Sequence, residues 1–162
     1  RNLELFRQLL AFCYEQGLDT RVMVTPEHLY LTHLREQRGH GDAWRDFHRR
    51  LVAINENEAT RAGREPFPIW GFNQWAGIVD EPVGTRPGTT ADRFRDGIHF
   101  GSELGAEFMD HLWGSGVDGR LLDSDSVDAY LRDVETLREQ LESEQSASLQ
   151  RFTHRVAERL GR

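Results

Sequence analysis

Residues 2–25 constrain the architecture more tightly than any other stretch of the chain. Leu3, Leu5, Phe6, Leu9, Leu10, Phe12 and Cys13 recur at helical spacing, and their apolar face is too broad for a helix lying at the surface. Gly17 is placed to stop that helix, because a glycine just past the last turn takes the left-handed conformation without a steric penalty. Asp19 and Thr20 then lead into Arg21-Val22-Met23-Val24-Thr25, a β-branched run closed by Pro26. A short apolar run without polar alternation is the pattern of a strand covered on both faces. Helix, glycine stop and buried strand together predict an αβ unit of a parallel sheet.

The rest of the chain alternates helical periodicity with turn-rich segments. Residues 26–42 read as a loop with a short helix around Leu29–Leu34, broken at Gly39 and Gly41. A helix is predicted from Ala43 to Arg61, with Asp42 as its N-cap and Trp44, Phe47, Leu51, Val52 and Ile54 turned inward. Pro66-Phe67-Pro68-Ile69-Trp70 reads as a second strand. Residues 71–92 carry Gly71, Gly77, Pro82, Gly84, Pro87 and Gly88 and read as a long irregular loop. A further helix opens at Ser102-Glu103 and carries Leu104, Phe108, Met109, Leu112 and Trp113. From Ser124 onward the chain is helical, with one stripe at Val127, Tyr130, Leu131, Val134, Leu137 and Leu141 and another at Leu149, Phe152, Val156 and Leu160. The remaining charge there predicts an appendage that packs along a narrow seam.

Composition removes several classes of function. A net charge of −7 and a pI near 5.5 argue against general nucleic-acid binding and against adhesion to anionic lipid. No apolar run approaches the length of a membrane span. All 20 basic residues are arginine, a mark of a GC-rich genome rather than of a function. Cys13 is the only cysteine, so no intrachain disulfide forms, and its apolar neighbours predict a buried, inert thiol. His28, His33, His40 and His48 show no paired ligand spacing, so neither a metal nor another cofactor is expected.

The segment with chemical content is Asp96-Gly97-Ile98-His99, just ahead of the helix at Ser102. Serine hydrolysis needs a histidine to take the hydroxyl proton and a carboxylate on the other ring nitrogen to set the tautomer. An aspartate three residues ahead of the histidine supplies that carboxylate locally. The competing reading is a turn-capping aspartate beside a surface histidine. His28 is a candidate substrate-lining residue at a strand end, or a loop histidine bonded to its own turn. Trp70, Phe72 and Trp75 are candidates for a sugar-stacking wall, or core packing of a strand and its exit.

The stretch from Asp96 through Phe100 to Ser102, Leu104 and Gly105 resembles the last block of SGNH/GDSL-type hydrolases, in which Asp-x-x-His precedes a terminal helix. Thr25-Pro26-Glu27-His28 and Trp70-Gly71-Phe72 are similar to further segments of bacterial SGNH-like proteins, with Gly71 standing where the family usually has Asp. The resemblance implies an α/β fold, a partial three-layer flavodoxin-like α/β/α arrangement with parallel strands. Residues 1–115 would be its C-terminal portion and residues 116–162 a helical tail. It implies an ester hydrolase or O-acyl transferase acting on acyl groups of a carbohydrate or other cell-envelope polymer, with His99 as base and Asp96 as its orienter. The family's nucleophile lies in a Gly-Asp-Ser block that this chain lacks; Gly41-Asp42-Ala43 ends in alanine. The expectation is therefore that a missing N-terminal half, or another chain, supplies the serine, and that this chain alone is inactive. The resemblance also implies an extracytoplasmic setting, with any membrane attachment through an N-terminal anchor outside the chain. The alternative is a non-catalytic binding or assembly module on the same scaffold.

Overall fold

Helix α1 spans Asn2–Gln16 and stops at Gly17, whose φ of +64° is the left-handed value foreseen for it. Strand β1 follows at Val22–Val24. The computed structural model describes residues 2–81, 92–114 and 119–159. The remaining elements are α2 (Leu29–Gln37), α3 (Gly41–Ala62), β2 (Ile69–Gly71), α4 (Ser102–Trp113), β3 (Arg120–Leu121), α5 (Val127–Glu144) and α6 (Ser146–Arg159).

The strands lie in the order β1-β2-β3. β1 and β2 pair in parallel, with Val22 opposite Ile69 and Val24 opposite Gly71. β3 pairs antiparallel with β2, Trp70 facing Leu121. The flavodoxin-like three-layer α/β/α expectation is overturned: six helices make up 62% of the described structure, and the sheet is small and mixed. Proline chemistry accounts for much of this. Pro26 follows β1 closely, and Pro66 and Pro68 have no N–H to donate to a ladder, so only Ile69–Gly71 of the 66–71 run pairs. Phe67, between those prolines, is spent on α1 instead: it stacks on Tyr14 at 4.0 Å and donates its N–H to the Tyr14 hydroxyl.

The two faces of the sheet bury different clusters, as alternation along a strand requires. Val22, Val24 and Ile69 meet Leu29, Val52, Tyr130 and Val134. Met23 and Trp70 meet Phe72, Phe94, Leu104 and Phe108. Leu10, Tyr14 and Ala59 join α1 to α3. Arg21 bonds the carbonyl of Leu112 and lies 4.4 Å over the Trp113 ring, tying the end of α4 to the start of β1.

Helix α5 is no appendage. Its Tyr130, Leu131, Val134 and Leu141 are buried in the main cluster. The Tyr130 ring lies across β2 so closely that a Cβ on Gly71 would stand 2.7 Å from Tyr130 Cζ. Residues 71–81, expected as irregular loop, turn repeatedly but bury Phe72, Asn73, Ile78, Val79 and Glu81. Pro82, Gly84, Pro87 and Gly88 lie outside the described residues. Cys13 is buried. Among the described residues no helix is long and apolar enough to cross a membrane.

Candidate functional site

The turn after β1 is the foundation of the site. The Glu27 N–H donates to Asn73 Oδ1 at 2.8 Å, and Asn73 donates its backbone N–H and Nδ2 to the Tyr130 hydroxyl at 3.2 and 3.0 Å. Burial pushes that hydroxyl up to about 12, so it stays protonated. The segments leaving β1 and β2 are thereby fastened to α5. From this base the His28 N–H donates to the Gly97 carbonyl at 2.8 Å, and the Leu29 N–H to the Val79 carbonyl at 2.7 Å.

Residues 94–100 fold back as a hairpin. Phe94 and Phe100 form an antiparallel bridge. Arg95 N–H donates to the His99 carbonyl at 2.7 Å, and Gly101 N–H to the Arg93 carbonyl at 2.9 Å. Phe94 is buried and Phe100 packs edge-on against Phe108, so the hairpin base is held by apolar contact. The Glu81 carboxylate accepts from the N–H groups of Arg93 and Phe94, each at 3.0 Å.

At the hairpin tip the aspartate and histidine meet. Asp96 Oδ1 accepts the backbone N–H groups of Ile98 (2.9 Å) and His99 (2.8 Å), and Oδ2 stands 2.7 Å from His99 Nδ1. The carboxylate can only accept, so Nδ1 carries the proton and Nε2 keeps the lone pair. The Ile98 N–H, then the His99 ring and backbone N–H, hold the Asp96 carboxyl down at about 2. Both side chains are open to solvent, His99 at 70% and Asp96 at 56% exposure.

The other sequence candidates lie behind this tip. His28 is only 2% exposed and both its nitrogens are occupied. Nδ1 caps α2 by accepting the Tyr30 N–H at 3.2 Å, and Nε2 bonds the Glu81 carbonyl at 2.8 Å. Burial holds its pKa below the ordinary histidine value, so the ring is neutral and serves as a strut. Phe72 is fully buried, and Trp70 and Trp75 are half-buried in the same cluster as Phe94 and Phe100. They pack in the cluster that supports the hairpin base.

One arrangement has no counterpart in the sequence reading. His33 Nδ1 lies 2.6 Å from Glu142 Oε1, across 109 positions of sequence. No local spacing signals it, because α2 and α5 meet only in the fold. Among the described residues no group of three His, Cys, Asp or Glu side chains is placed to share a metal ion. Comparison of the chain with protein-family models, with characterised proteins and with solved structures finds no match. Nothing in these comparisons indicates a relationship to SGNH/GDSL hydrolases.

Proposed function

We propose that Asp96 and His99 are the proton-transfer pair of an ester hydrolase or O-acyl transferase whose nucleophilic serine lies outside this chain. The reading is carried by one observation: an imidazole whose Nδ1 is gripped at 2.7 Å by a carboxylate that two backbone N–H groups hold in place. Nε2 is then the base that takes the serine proton, and the imidazolium returns that proton to the leaving alcohol. The architecture contributes nothing to this proposal. The pair is open to solvent, so a second protein surface must bring the serine, the oxyanion donors and the wall that excludes water. Acyl esters of a carbohydrate or cell-envelope polymer are the proposed substrates, which fits an extracytoplasmic setting.

The test is His99→Ala in the full-length protein or complex, assayed on a generic ester. Activity should fall by a factor on the order of 10²–10⁴ while the melting temperature stays put. Wild-type turnover in that variant sinks the proposal.

A second reading, a non-catalytic assembly module, is favoured by α1. Leu5, Leu9 and Phe12 stand at i, i+4 and i+7, on the side away from α3, and are 57%, 57% and 52% exposed. The simplest partner for this stripe is a second copy of the chain. Sedimentation velocity should then show concentration-dependent association that Leu9→Glu abolishes. A wild-type chain that stays monomeric at high concentration removes this reading.

A further inference from the structure

Helices α2, α5 and α6 enclose an open cleft of about 510 Å³, well away in sequence from the Asp96 hairpin. Its wall carries His33, Gln37, Ser146, Gln150, Thr153 and His154, with Leu149 as the apolar contribution and Glu142 behind His33. The His33 side chain is only 12% exposed, and its Nδ1 is committed to Glu142. As at the hairpin, a carboxylate partner fixes the proton on Nδ1 and leaves Nε2 as an acceptor in the cleft wall. Glu142 has a second partner at the same oxygen: Arg138 also bonds Oε1. Burial works to raise the Glu142 pKa, but the hydrogen bonds from His33 and Arg138 outweigh it and the net shift is downward. The acid therefore remains an anion, held by His33 and by an Arg138 that also holds Glu135.

The chemistry of the lining selects the ligand. Arg138 is engaged with Glu135 and Glu142, and among the described residues no arginine lines the cleft to meet a phosphate or carboxylate. Glu142 already shares its charge with Arg138 and His33 at Oε1, which weakens its pull on an ammonium group. What remains is two primary amides, two hydroxyls and two imidazoles, His33 held by Glu142 and His154 3.2 Å from Glu158, a lining that exchanges hydrogen bonds with ligand hydroxyls. We infer that this cleft is a binding site for a neutral, hydroxyl-rich ligand of the sugar or polyol class, with His33 Nε2 accepting from a ligand hydroxyl. The single apolar residue and the openness of the cleft predict millimolar binding rather than tight capture. The inference is independent of the role of Asp96 and His99.

The experiment is a titration of the full chain with methyl α-glucopyranoside, followed by backbone amide shifts at Ser146 and Gln150 and by the ring nitrogens of the histidines. Ethylammonium and inorganic phosphate are titrated in parallel. The glucoside should give saturable shifts at His33, Ser146 and Gln150, and the two ions should not. His33→Phe keeps the ring volume and the Arg138–Glu142 pair, and Gln150→Ala changes an exposed position. Each should weaken half-saturation by about five- to tenfold, the loss of one or two hydrogen bonds. If His33→Phe does not fold, Gln150→Ala decides. No saturable shift, equal response to either ion, or undiminished binding in the folded variants overturns the assignment.

Discussion

At Asp96 the two carboxylate oxygens do different things. Oδ1 folds the turn by accepting the Ile98 and His99 N–H groups, and Oδ2 sets the His99 ring. Asp96→Asn separates these duties. The amide oxygen still accepts both backbone N–H groups, so the hairpin persists, but the amide nitrogen now faces Nδ1 as a donor. The proton is driven to Nε2, and the proposed base is lost. Long-range ¹H–¹⁵N spectra should show the tautomer reversed, and ester turnover should drop by a factor on the order of 10⁴ with the fold intact. The lowered Asp96 pKa also has a stability consequence. Its folded value of about 2 lies below the ordinary 3.8, so its contribution is fully present above 3.8 and is lost as pH falls toward 2. At 56% exposure that contribution is small. The pair was legible in the sequence because Asp96 and His99 are three residues apart and make their own turn. His33 and Glu142 were not, because only the packing of α2 on α5 brings them together.

At the scale of elements, Gly71 shows why β2 tolerates no side chain at its last position. The Tyr130 ring occupies the space where a Cβ would stand, and Tyr130 is itself fully buried and held by Asn73. Gly71→Ala must displace that ring, and urea unfolding should show a loss of about 1–3 kcal/mol. The glycine at this position therefore has a packing cause within this fold. Periodicity marked α1, α3, α4 and α5, each of which repeats apolar residues every three or four positions. It gave no hint of β3, since Arg120-Leu121 is two residues long and Leu121 is exposed. Nor could it foresee burial in residues 71–81: Ile78 and Val79 are covered by partners distant in sequence, and glycine and polar neighbours mask them.

For the molecule as a whole, acid stability depends on two neutral histidines. His28 and His48 are both buried, and burial lowers the pKa of each below the ordinary 6.5. His48 donates Nδ1–H to the Trp44 carbonyl at 2.8 Å, and its Nε2 is buried with no hydrogen-bond partner among the described residues. The unfolded chain binds protons at these sites more readily than the folded one. Stability is therefore fully present above 6.5 and declines as pH drops below it toward the lower folded values. Urea midpoints measured from pH 7.5 to pH 5 should fall, and His48→Gln should flatten the slope. An unchanged slope in that variant removes His48 from the account. Sequence patterning showed that residues 2–25 form a helix and a strand, and β1 does pair in parallel. It did not show how little sheet would follow, because proline placement and tertiary packing decide where pairing stops. The hairpin at residues 94–100 is different in kind, since every bond that orients its imidazole is made by its own few residues. A synthetic macrocycle of that sequence, with a covalent tether where Phe94 meets Phe100, keeps the acid's hold on the ring, so this carboxylate–imidazole pair can be grafted onto an unrelated scaffold.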